Sequence, residues 1–185
     1  MKADSLLFFV GSDKDVVYAR SLDLQIWLLG YELTDTIMLM CEDGLYFLAS
    51  KKKIDFLKQI ESAKKPDSLP NIRLLIRDKS DNDKQNFEKI VESIKDSKEG
   101  KSIGVISKDQ GYKGAFLDAW RSHWKKNQGD IKSVDLTAPI TIVMAPKAES
   151  ELQNVRMAAK ITSEVFSKQV KEQIMDIVDN DKVKR

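Results

Sequence analysis

Cysteine and histidine are nearly missing from this chain: there is one of each, Cys41 and His123, in 185 residues. A single cysteine excludes an internal disulfide, and one of each leaves too few ligands for a His/Cys zinc site. Cys41 sits in an apolar run, which reads as a buried thiol in a reducing compartment. Long hydrophobic runs are also missing. The apolar block at 6–10 is too short for the core of a signal peptide or for a membrane span. No export signal is legible, so the chain is expected in the cytosol or nucleus. Neither sign of charge prevails: 31 Lys and Arg stand against 29 Asp and Glu, a formal net charge of +2. Counterion release needs clustered positive charge, so this balance argues against strong whole-molecule attraction to nucleic acid. Glycine-rich phosphate loops are lacking as well, since Gly111-Tyr112-Lys113-Gly114 has neither phosphate-loop nor dinucleotide spacing.

What is present is enough for a packed core. Apolar residues make up 42% of the chain and charged residues 32%, and the length suits one domain or one domain plus a piece of the next. Residues 5–10 form an apolar block ended by Gly11, as in a buried strand. Ser21 is placed to cap a helix in which Leu22, Ile26 and Leu29 share a face, with Gly30 as its stop. The apolar runs 37–41 and 45–49 are joined through Glu42-Asp43-Gly44, and the Asp-Gly step predicts a hairpin. Ile54, Leu57 and Ile60 recur at helical spacing, and the prolines from Pro66 to Pro70 break that helix. Residues 72–76 read as a strand and 78–83 as a polar loop. Phe87, Ile90, Val91 and Ile94 line a helix expected to end near Gly100. A strand at 103–106, a loop at 111–114, a helix through Phe116, Ala119, Trp120 and His123, and a last strand at 131–135 follow. Strands alternating with helices predict a mixed α/β layer, with the hairpin as its antiparallel pair. Residues 136–144 are rich in Thr, Ile and Val, which favours a strand. From Ser150, which forms a capping box with Gln153, a helical pattern runs through Leu152, Val155, Ala159, Thr162, Phe166, Val170, Ile174 and Ile177. It is long for a globular helix. Residues 179–185 are expected to fray.

Several separated words carry a family resemblance. Trp27-Leu28-Leu29-Gly30-Tyr31-Glu32-Leu33-Thr34-Asp35-Thr36-Ile37-Met38 and Tyr46-Phe47-Leu48-Ala49-Ser50-Lys51-Lys52-Lys53 are the strongest. Phe56-Leu57-Lys58-Gln59-Ile60, Ile103-Gly104-Val105 with Ser107-Lys108-Asp109, and Ala158-Ala159 with Ile161-Thr162-Ser163-Glu164-Val165-Phe166 follow in the same order. Together they resemble the amino-terminal, aminopeptidase-like domain of the large subunit of FACT, a histone chaperone. The resemblance implies a mixed β-sheet flanked by helices, a lobe like the amino-terminal domain of creatinase and prolidase (ribonuclease-H-like). It implies a short helix at 136–144. It sets an amino-terminal lobe at 1–148 and, at 149–185, the first helix of a truncated pita-bread second lobe. It further implies a nuclear, chromosome-associated protein that reorganises nucleosomes during transcription, replication and repair. The implied partners are core histones and nucleosomes, with a smaller HMG-related subunit engaged through parts absent from this chain. No cofactor, metal, membrane or strong direct DNA contact is expected of this lobe.

The rival expectation is the lobe of an active prolidase-like aminopeptidase. Trp27-Leu28-Leu29-Gly30-Tyr31 falls where those enzymes carry a Tyr-Leu-Thr-Gly-Phe-like word, but their metal ligands lie in the second lobe. His123, between Ser122 and Trp124, is the local catalytic candidate. Adjacent residues on a helix do not face each other, so a structural histidine is the better reading. The expected function is therefore non-catalytic protein interaction. Its candidate residues are Tyr31 and Glu32, just past the helix stop, and Lys51, Lys52 and Lys53 at the start of the next helix. The lysines read either as a basic patch for phosphate or acidic protein, or as a solvated first turn. Cations there oppose the helix dipole. Trp27 is expected in the core, and the 78–83 loop as mobile and solvated.

Overall fold

The computed structural model describes residues 2–12, 19–62, 70–109 and 111–182. They form two compact units, Met1–Met144 and Ala145–Arg185. In the first, β1 (Ser5–Val10), α1 (Arg20–Leu29), β2 (Thr36–Cys41), β3 (Gly44–Ala49), α2 (Lys51–Ser62) and β4 (Asn71–Ile76) come first. Then follow α3 (Lys84–Asp96), β5 (Ser102–Val105), α4 (Ala115–Asn127), β6 (Lys132–Asp135) and α5 (Thr137–Met144). The six strands lie in the order β4-β3-β2-β1-β5-β6. β2 runs antiparallel to both β1 and β3, while β3/β4, β1/β5 and β5/β6 are parallel. The expected mixed sheet is thus present, and its centre is covered on both faces.

The period-two alternation of strand side chains divides the core. Leu7 and Phe9, Ile37 and Leu39, and Tyr46 and Leu48 point to one face, where they meet Phe87, Ile90 and Ile94 of α3 and Leu117 and Trp120 of α4. Phe8, Met38 and Phe47 point to the other, against Leu24 of α1, Ile54 and Leu57 of α2, and Ile140 and Met144 of α5. Strands buried on both faces read as continuous apolar runs, which is why the sequence marked them well.

Several local expectations are corrected. Ser21 does not cap α1. The N-cap is Ala19, without a side-chain cap, and Asp109 does the work from across the chain, its Oδ2 accepting the Ser21 N–H at 2.5 Å. The inward face of α1 is Ser21, Leu24 and Gln25, whereas Ile26 is 48% exposed. Gly30 does stop the helix, at φ 68° with its N–H on the Ile26 carbonyl. The hairpin forms, but Gly44 lies in β3, opposite Cys41, and supplies no left-handed turn residue. A Cβ there would stand 2.5 Å from the Asn71 carbonyl oxygen, so close approach of β4 is what the glycine permits. The helix α3 stops at Asp96, before Gly100.

Of residues 136–144, Thr137–Met144 are helical in spite of their β-branched content. Asp135 accepts the Thr137 N–H at 3.0 Å and its hydroxyl at 2.6 Å, satisfying the exposed donors of the first turn of α5. The 78–83 loop is held by its own hydrogen bonds: Asp83 is 3% exposed, takes the Asp78 N–H at 2.7 Å and pairs with Arg77 at 3.2 Å. The side chain of Ile60, residues 66–69 and residues 183–185 lie outside the described residues.

In the second unit, α6 (Glu149–Val165), a π-helical segment (Phe166–Val170) and α7 (Lys171–Lys182) follow one another directly. The N-cap is Ala148, so Ser150 falls inside the helix. Glu151 supplies the capping contact by accepting the Ala148 N–H at 2.7 Å. Residues 179–182, expected to fray, are helical.

Candidate protein-binding surface

The end of α1 and the start of α2 are brought together by the chain segment between them. Gly30 reverses the chain, which leaves Tyr31 and Glu32 exposed. Leu33 then turns inward, 2% exposed, with its N–H on Oε1 of the fully buried Gln25 at 2.9 Å. Thr34 is gripped from α2, where the Lys53 ammonium donates to its carbonyl oxygen and to its Oγ1. Burial pushes the Lys53 ammonium pKa down from its ordinary value, and nearby Arg77 adds to this, against the raising effect of the Asp35 and Glu32 carboxylates. The third lysine of the run is therefore a tether between the two segments. Lys51 and Lys52 point to solvent.

Beside them, Tyr31 and Phe56 form an exposed aromatic pair, with ring centroids 5.1 Å apart and planes inclined at 42°. Tyr31 is 56% exposed and Phe56 39%. Aromatic pairs of this geometry are usually buried, and a partly wet one offers a rigid apolar platform at little entropic cost. Asp55, on the same helix, pairs with Lys58 at 2.7 Å, and that hydrogen bond holds its carboxyl below the usual range. The surface thus combines two rings in tilted contact, the exposed ammonium groups of Lys51 and Lys52, the first of them near the Asp55 carboxylate, and the Glu32 carboxylate. Phe56 was not among the sequence candidates. Its i, i+4 relation to Lys52 on a helix was legible, but its contact with Tyr31 depends on the tertiary path of 30–35.

Trp27 is a second correction, since it is 48% exposed and not core. It lines an apolar groove of about 480 Å³ with Leu6, Leu24, Met40, Leu136 and Ile140. Cys41 reaches the same groove, and burial raises its thiol pKa to about 11. His123 packs its ring 5.6 Å from that of Phe87, and burial lowers its pKa. Among the described residues no hydrogen-bond partner meets its Nε2, so the geometry does not assemble a Ser–His pair.

A sequence model of the FACT complex subunit SPT16 N-terminal lobe domain matches residues 1–139. The chain is 31% identical over 170 residues to the FACT complex subunit spt-16 of Caenorhabditis briggsae, covering 92% of this chain and 16% of that protein. It is 34% identical over 181 residues to the SPT16 subunit of Dictyostelium discoideum, covering 96% and 16%. The chain therefore spans about a sixth of the length of these curated relatives. Among solved structures, the N-terminal domain of the SPT16 subunit from Eremothecium gossypii superposes with a TM-score of 0.81 at 25% identity, covering 97% of this chain and 41% of that one. An X-Pro aminopeptidase from Thermotoga maritima superposes at 0.57 with 15% identity, over 92% of this chain and 41% of that one. That last likeness concerns the fold.

Proposed function

This chain belongs to the FACT complex subunit SPT16 N-terminal lobe family, and we propose that it acts there as a non-catalytic protein-interaction domain of a histone chaperone. In this reading the whole protein works in the nucleus, on chromatin, and reorganises nucleosomes during transcription, replication and repair. Core histones and nucleosomes are its partners, and a smaller HMG-related subunit joins through regions outside this chain. The helix beginning at Glu149 opens a second, pita-bread lobe. The relatives support this reading: proteins matched over more than nine-tenths of the chain are FACT subunits.

The observation that carries the interaction role is the wet Tyr31–Phe56 pair beside Lys51 and Lys52. Exposed rings in tilted contact next to exposed cations suit a protein segment that offers an apolar side chain followed by carboxylates. Glu32, at the rim, disfavours a second carboxylate on its side and so orients the segment. Lys53 contributes by holding the two halves of the surface together through Thr34.

The test is calorimetric titration of the purified chain with core histone dimers and tetramers, and with assembled nucleosomes. Tyr31→Ala combined with Phe56→Ala is expected to weaken binding at least about tenfold, and Lys51→Glu with Lys52→Glu to weaken it in a salt-dependent way. Wild-type affinity in both variants overturns the assignment of the surface. Turnover of X-Pro peptides with added manganese or zinc, abolished by His123→Ala, overturns the non-catalytic role.

A further inference from the structure

The inward face of α1 is polar where that of α3 is apolar. α3 buries Phe87, Ile90, Val91 and Ile94 together with Asn86. α1 buries Ser21, Leu24 and Gln25, while Leu22 and Leu29 are only partly covered. Gln25 is fully buried, and its Oε1 accepts the Leu33 N–H at 2.9 Å. Its Nε2 has no hydrogen-bond partner. The Leu33 bond fixes which way the amide is turned, since the opposite flip would set two donors face to face. A buried donor without a partner has given up water and gained no bond in return. Docking of α1 on the sheet therefore returns less free energy than an apolar inner face would.

Two polar contacts take the place of packing. At the N-terminal end, Asp109 Oδ2, from the 3-10 turn at Ser107–Asp109, accepts the Ser21 N–H. In the middle, Gln25 holds the chain that follows the helix through Leu33. The C-terminal end is built as a pivot. Gly30 lies at φ 68°, and a Cβ added there would meet nothing within 4 Å, so the backbone turns in open space. Tyr31 stands one residue beyond the pivot, in contact with Phe56 of α2. We propose that α1 is a strap that leaves the sheet as a unit about Gly30 and returns to it, and that its docked state is the one that presents the Tyr31–Phe56 pair. The second half rests on the protein-binding reading of that surface. Docking orders the turn after Gly30 through Gln25 and Leu33, so a partner that grips Tyr31 favours the docked strap.

The experiment is native-state hydrogen exchange of the full chain at low urea concentrations, read residue by residue by NMR. The amides of residues 23–30 and of Leu33 should exchange as one set. Their common protection and urea dependence should lie well below those of the β2 and β3 amides. Asp109→Ala should speed the whole set about tenfold, the usual effect of a lost cap. That includes the last turn and Leu33, although the bond lost is at Ser21. Asp109→Asn keeps an acceptor and should speed the set less. Gln25→Ala should drop Leu33 below the set, since its amide then has no bond to lose. Unchanged circular dichroism confirms that the variants fold. A response confined to the first turn, with Leu33 as in the wild type, is local fraying and overturns the strap. Exchange of α1 at the level and urea dependence of β2 and β3 also overturns it, because the helix then leaves only when the chain unfolds. Core histone tetramers at saturating concentration should slow the set further, by binding the docked strap alone. Binding without that slowing overturns the coupling. Absence of binding overturns the reading of the surface, and exchange in the free chain still decides the strap.

Discussion

At Asp135 one exposed carboxylate serves two elements. Its Oδ1 accepts the Thr137 N–H and hydroxyl at the start of α5, and the Ser107 N–H at 3.4 Å after β5. Those donors, the Thr137 hydroxyl first, hold its pKa well below the usual carboxylate range. A depressed folded-state pKa makes this contribution complete above about pH 4, the ordinary Asp value, and removes it as pH falls through the lower folded value. Asp4, bound by Ser102, and Asp78, bound by Ser80, are lowered in the same direction. The melting temperature should therefore fall as the buffer is taken below pH 4, and Asp135→Asn should flatten that fall. An unchanged acid slope in the variant, measured by melts between neutral pH and pH 2.5, would show that Asp135 is not the group responsible. Gly44 and Lys53 make the same point about single residues. One is set by an Asn71 carbonyl that leaves no room for a Cβ, the other by a threonine that turns a surface cation inward.

Among the elements, α1 depends on a residue far away in sequence. Its N-cap alanine offers no acceptor, and Asp109, in the short 3-10 turn after β5, fills the vacancy from 88 residues away. The carboxylate also meets the positive end of the helix dipole. Asp109→Ala should cost about 1–2 kcal/mol, the usual value of a lost N-cap, and should speed hydrogen exchange at the amides of the first turn of α1. Asp109→Asn keeps an acceptor and should cost less. Equal exchange in all three proteins would mean that packing of Leu24 and Gln25 alone holds the helix. Because α1 ends at Gly30, where the Tyr31 loop begins, a frayed α1 should also weaken the proposed surface.

For the whole molecule, the formal net charge of +2 sets the expectation for nucleic acid. The exposed Lys51 and Lys52 release few counterions on binding a phosphate backbone. Duplex DNA titrated by fluorescence anisotropy should bind weakly at low salt and be lost at physiological salt. Submicromolar binding at physiological salt would make this lobe a DNA-binding module instead. The described residues contain no helix long and apolar enough to cross a membrane.

The sequence by itself determined the strands and the order of helices. Burial on both faces writes continuous apolar runs into β1, β2 and β3, and α3 shows its inward face in Phe87, Ile90, Val91 and Ile94. It also marked Tyr31 as accessible, because a residue just past a helix stop has little to pack against. Contacts between residues distant in the chain were decided by the tertiary structure. Asp109 in place of Ser21 as the cap of α1, Phe56 as the partner of Tyr31, Lys53 turned toward Thr34 and Trp27 left half exposed all depend on how the elements pack. Periodicity names the face of a helix that is apolar, but which part of that face meets the sheet is fixed by the angle at which the helix lies on it. α1 lies with Leu24 and Gln25 inward, so Trp27 looks out over a groove and Tyr31 stands free beside Phe56.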